Sequence, residues 1–97
     1  MRSIEFHPDA QTELIAAAEF FEGKAEHLGV DFIDLVQRAT RRLLDFPNSG
    51  RRAGKRLRCA LVARFFYRLL YRVERERIFI VAVAHPSRRP GYWRSRV

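Results

Sequence analysis

Arginine is the residue with the most chemistry to offer in this sequence. Arg58, Arg64, Arg68, Arg72, Arg88 and Arg89 follow one another through its second half, with Tyr92 and Trp93 close behind. A guanidinium is permanently charged and planar, and its donors form a fork that meets phosphate or carboxylate two bonds at a time. Arginines mixed with aromatic rings can therefore hold a phosphate backbone and stack on bases. A solvated polar sheet face has the same composition. His85 stands just before Pro86, where an apolar run ends. An imidazole there suits proton transfer, and equally suits capping or packing. His7 and His27 are dispersed and read as structural. No His, Cys or acid cluster has metal-ligand spacing, and neither a phosphate-cradling glycine loop nor a serine elbow is present. The only acids after residue 50 are Glu74 and Glu76, so paired-carboxylate chemistry is not expected. No cofactor and no small-molecule substrate are expected.

The charge is concentrated in the half that carries these residues. The chain has a net charge of +8. Residues 1–50 hold 5 basic and 9 acidic side chains, whereas residues 51–97 hold 14 and 2, so the positive field belongs to the second half. Only Lys24 and Lys55 among the 19 cations are not arginine, a bias that a GC-rich genome would also produce. A chain of 97 residues suits one domain with one modest core, taken as residues 1–97. The single Cys59 cannot form an internal disulfide and reads as a small core residue on a strand. The reducing cytoplasm is the expected compartment. No apolar run is long enough to span a membrane, and the mixed-charge N-terminus does not read as a secretory signal.

The elements that must position these residues follow from periodicity. Residues 2–6 alternate and form an opening strand. Pro8 suits the first helical position. Ala10, Leu14, Ala17, Phe21 and Ala25 make an apolar stripe on a helix over 8–25, with Glu13, Glu19, Glu22 and Glu26 largely off it. Gly29 is the expected turn residue. A second helix over 30–46 buries Phe32, Val36, Ala39, Leu43 and Phe46 and stops at Pro47. Beyond Gly50 the period becomes two. Residues 51–55 read as a basic loop. A strand over 56–62 turns Leu57, Cys59 and Leu61 to one face. A strand over 65–74 turns Phe65, Tyr67, Leu69, Tyr71 and Val73 to the core. Residues 78–84 are apolar on both faces, as in a central strand. The fold class is α+β, in the order β-α-α-β-β-β, with a helix hairpin on one face of a small, mainly antiparallel sheet. On that plan Arg58, Arg68 and Arg72 project from the other face. Arg88, Arg89, Tyr92 and Trp93 fold back toward it, with Pro90-Gly91-Tyr92-Trp93 as a packing anchor.

The run Phe66-Tyr67-Arg68-Leu69-Leu70-Tyr71-Arg72-Val73, the apolar residues 78–84, and then His85-Pro86-Ser87-Arg88-Arg89-Pro90-Gly91-Tyr92-Trp93 resemble the C-terminal half of RelE/ParE toxins. The short strand, Pro8 and the two helices ending before Pro47 are similar too. The resemblance implies the toxin of a bacterial type II toxin–antitoxin system, associated with growth arrest and plasmid stabilisation. Its implied partner is a cognate antitoxin, usually acidic. In the RelE-like branch, basic and aromatic residues cleave mRNA on the ribosome. Arg68 matches that branch's Tyr-Arg strand motif, and His85 and Tyr92 would be its proton-transfer candidates. The branch's paired lysines are missing, with Cys59 and Leu61 near their positions. The ParE-like branch poisons DNA gyrase by binding, and this sequence sits closer to it. Arg58, Arg64, Arg68, Arg72, Arg88, Arg89 and Trp93 would then contact the target. A basic nucleic-acid-binding module without toxicity is the third reading.

Overall fold

The computed structural model describes residues Met1–Val97. Strand β1 (Ser3–Phe6) leads into helices α1 (Pro8–Lys24) and α2 (Leu28–Asp45), followed by β2 (Arg51–Arg52), β3 (Arg58–Leu61), β4 (Arg68–Val73) and β5 (Arg77–Ala84). The sheet order is β1-β5-β4-β3-β2. Only the β1–β5 pair is parallel. This is the α+β architecture expected, with the helix hairpin on the sheet. The residues that read as a basic loop contribute the short edge strand β2 as a fifth strand.

Local chemistry explains the hairpin. Pro8 opens α1, and the His7 ring nitrogen Nδ1 accepts from Asp9 N–H at 3.0 Å. Ala10, Leu14 and Ala17 are buried on the predicted stripe, and Phe21 packs against them. His27, at φ 68°, makes the turn expected of Gly29. Gly29 instead lies inside α2, where a Cβ would strike the Ala18 carbonyl of α1. The glycine is there for close helix approach. Glu22 reaches from α1 to the start of α2 and accepts from His27 N–H and Gly29 N–H, both at 2.9 Å. These backbone donors hold its carboxyl below the usual range. The arrangement caps α2 with a negative charge at its positive end.

Phe32, Val36 and Leu43 are buried from α2, together with Thr40. Phe46 departs from the predicted stripe: it is the C-cap residue and turns outward, with Arg42 over its ring at 5.9 Å. On β4, Leu69 and Tyr71 face the helices as expected, and Tyr67 just before it does the same. On β3 the faces are reversed. Cys59 pairs with Leu70 and Ala60 with Leu69. Cys59 therefore packs on the side away from the helices, beside Leu70, while Ala60 joins the main core. Leu61 is exposed. Beyond Cys59, β3 has no partner on its outer edge, because β2 is only two residues long. No helix is long and apolar enough to cross a membrane.

Gly23 and Gly29 should respond with opposite signs. Gly29→Ala must push the helices apart and should cost about 2 kcal/mol. Gly23 has open space around it, so Gly23→Ala should add about 0.5–1 kcal/mol through helix propensity. Denaturant midpoints of the two variants check this, and a neutral Gly29→Ala would refute the packing role.

Candidate functional site: an arginine-lined cleft under the C-terminal segment

On the sheet face away from the helices, Leu70, Ala82 and Ala84 form a small apolar cluster covered by Cys59, Ala53, Tyr92 and Trp93. The tail thus folds back as its aromatic residues predict. Between tail and sheet lies a cleft of about 130 Å³, bordered by Arg51, Arg52, Arg68, His85, Arg88, Tyr92 and Trp93. No carboxylate lines it. A second hollow of about 300 Å³ lies toward α1 and shares His85, Arg88 and Tyr92 with the first.

The tail is fixed by one carboxylate. Strand β1 ends at Phe6, opposite Ile80; His7 N–H still donates to the Ile80 carbonyl at 2.8 Å, and beyond it side chains serve β5. Glu13 Oε1 accepts from Val83 N–H at 2.9 Å and from Arg96 Nη1 at 2.9 Å. Its Oε2 accepts from the Tyr92 hydroxyl at 2.8 Å and from Arg96 Nη2 at 3.0 Å. Arg96 also donates to the Val81 carbonyl at 3.1 Å. Val81 is the extra residue of a β-bulge: Leu70 pairs with Ala82 and Tyr71 with Ile80, leaving Val81 between them. Burial pushes the Glu13 carboxyl up, but the bonds from Arg96, Val83 and Tyr92 outweigh it and the group stays below its ordinary range. Burial and the Glu13 bond push Tyr92 up to about 12.

The remaining arginines divide by what they already hold. Arg58 pairs in register with Tyr71 and so lies on the helix side, not with Arg68 and Arg72 as expected. There it donates to the carbonyls of Asn48 (3.1 Å) and Gly50 (2.9 Å), while Tyr71 Oη donates to the Pro47 carbonyl at 2.7 Å. It braces the loop before β2. Arg64 pairs with Asp31 at 3.5 Å. Arg72 does lie on the far face, opposite Phe79, but Glu74 takes it at 2.6 Å. Arg89 is exposed on the turn after His85 and does not border the cleft. Arg68, Arg88, Arg51 and Arg52 make no ion pair with any carboxylate. Arg88 lies 3.9 Å over the Tyr92 ring centroid, a cation–π contact that holds it in place and leaves its donors for a ligand.

The arrangement can bind anions. Proton transfer has less to draw on. The Tyr92 hydroxyl is committed to Glu13. His85 accepts from Ser87 N–H through Nδ1 at 2.9 Å, and its ring meets Tyr67 edge-on at 5.3 Å. Burial raises the Cys59 thiol although Arg68 and Arg51 pull it down, so it stays protonated at neutral pH.

A family model described as ParE toxin of type II toxin-antitoxin system, parDE, matches residues 4–90. The chain belongs to that family. A ParE-family toxin has a cognate antitoxin as partner, as the sequence resemblance implied. Among curated proteins none matches the chain. The matched span includes Glu13, Arg68, His85 and Arg88 but stops short of Tyr92, Trp93 and Arg96. The sequence pattern does not single out Glu13, Arg96, Arg51 or Arg52. Glu13 carries a signal all the same, since it lies three residues from Ala10 and four from Ala17, at the border of the buried stripe.

Removing the latch charge should have a pH-dependent cost. Glu13→Gln should destabilise the toxin by about 2 kcal/mol at pH 7, because Arg96 loses its half-buried partner. A depressed carboxyl contributes stability above its ordinary value of 4.5 and loses it as pH falls through the lowered folded value. Wild type and Glu13→Gln should therefore converge in acid. A gap that does not narrow as pH falls below 4.5, in urea midpoints measured across pH, would contradict the assignment.

Proposed function

We propose that this ParE-family toxin arrests bacterial growth by binding, with DNA gyrase as its target, and acts in the cytoplasm. The observation that carries the reading is the chemistry of the cleft. Arg68, Arg88, Arg51 and Arg52 supply guanidinium groups without a carboxylate partner, whereas the tyrosine hydroxyl beside them is bonded to a carboxylate and raised to about 12. A guanidinium does not serve as a base at neutral pH. Such a cleft holds anionic surface well and moves protons poorly. It suits an acidic protein surface or the phosphates of enzyme-bound DNA, and charge complementarity speeds encounter with either. The acidic antitoxin would compete for the same field.

One observation favours the alternative, a ribosome-dependent endoribonuclease. Arg68, His85 and Tyr92, the three residues proposed for that chemistry, border the same cleft. His85 is exposed there and would be its proton carrier.

Expression of the chain alone from a tight promoter should stop growth, and the purified protein should inhibit supercoiling by gyrase. Arg68→Ala with Arg88→Ala should weaken inhibition by about a hundredfold, about tenfold for each guanidinium removed. His85→Ala should leave it intact. Loss of activity in His85→Ala, together with cuts in ribosome-bound mRNA, would replace the binding reading with the nuclease.

A further inference from the structure

The connection between β3 and β4 is closed by Val62 N–H donating to the Tyr67 carbonyl at 2.7 Å and Phe66 N–H to the Val62 carbonyl at 3.1 Å. Two of its residues, neither of them glycine, are left-handed: Arg64 at φ 72° and Phe66 at φ 61°. A Cβ disfavours that region, and a bulky side chain there is unusual. The neighbours of Phe66 point inward. Phe65 packs on Phe21 and Phe32 at 4.6 and 5.2 Å, and Tyr67 lies 5.0 Å from Phe32. Phe66 between them points out and is 64% exposed, with no ring or cation of the fold stacked on it. Leu61, one residue before the turn closes, is 59% exposed. Single exposed apolar side chains are common on soluble proteins. Phe66 is held outside at an unfavourable backbone angle without an aromatic or cation contact in the fold to offset it, and strain of this kind gathers at functional sites.

We propose that Phe66 is an anchor by which this toxin docks on its protein target, entering an apolar pocket whose rim is acidic. The inference rests on the growth-arrest reading above and adds the contact that reading lacks. The arginine cleft supplies charge; Phe66 and Leu61 supply apolar area, and aromatic anchors beside arginine dominate the energetics of many interfaces. The rim is acidic because Arg68, which has no carboxylate partner, sits opposite Leu61 across the strand pair, whereas Arg64 is already paired with Asp31. The aliphatic Leu61 favours a protein pocket over a nucleotide base, since leucine adds little to base stacking.

The test uses the 97-residue chain with Phe66→Asn, Phe66→Leu and Phe66→Tyr, each read for thermal midpoint and for growth arrest at matched expression. Asparagine tolerates the left-handed region and removes the exposed ring. Phe66→Asn should therefore raise the melting temperature while requiring at least tenfold more inducer to stop growth. Replacing a residue with a merely structural role would lower the melting temperature and weaken the arrest with it. Phe66→Leu should keep most of the arrest. A lower melting temperature in Phe66→Asn, or arrest equal to wild type, overturns the anchor and leaves the growth-arrest reading standing. Loss of arrest in Phe66→Leu with retention in Phe66→Tyr indicates stacking on a base and overturns the protein pocket. A wild-type chain that does not stop growth removes both readings.

Discussion

The shape of the molecule depends on how the exposed backbone of one strand is satisfied. Strand β5 runs on past the end of its parallel neighbour β1, and a bulge at Val81 disturbs its other side. Buried peptide groups left without partners are costly. Glu13 and Arg96 meet this need together, one from α1 and one from the C-terminal segment. Because they also bond each other, the same few contacts tie the helix layer, the sheet and the tail. The cleft exists because the tail is held at that distance from the sheet.

Charge in this chain is best understood by what each arginine already holds. Arg58 is used on backbone carbonyls, Arg64 and Arg72 on carboxylates, and Arg96 on the latch. The second half has 14 basic and only 2 acidic side chains, so internal pairing runs out quickly. Four of the arginines left over, Arg51, Arg52, Arg68 and Arg88, gather where β2, β4 and the tail meet. Membership of the ParE toxin family gives that surplus a biological setting, since a toxin of this class must be met by an antitoxin. An arginine count alone would assign the binding surface to several residues that are in fact structural.

Much of the fold is legible in the sequence because it rests on simple periods. The stripes of both helices, the inward residues of β4 and the doubly apolar β5 all follow from burial. The errors share a cause, which is that local pattern does not fix register. Residues Arg56, Arg58 and Leu57, Cys59, Leu61 alternate cleanly, yet tertiary pairing puts Ala60 on the core side and Cys59 on the other. One residue of register reverses every side chain, and Arg58 moves with it. Gly29 reads as a turn, since nothing in one sequence distinguishes a glycine that bends from one that admits a neighbouring helix. In the site, Arg68, Arg88, His85, Tyr92 and Trp93 come together as their positions suggest. The Glu13–Arg96 contact spans 83 positions and is visible only in three dimensions.

The short β2 leaves part of the β3 edge open, with Leu61 exposed beside it. An open strand edge is a template for pairing with other chains, and natural proteins often guard such edges with charge. Here the guard is electrostatic repulsion between copies at net +8. Its reach shrinks with the Debye length, from about 10 Å at 0.1 M salt to about 3 Å at 1 M. Concentrated salt therefore strips the protection while leaving the edge intact, so a preparation of the free protein keeps best in dilute buffer and clumps as ionic strength climbs.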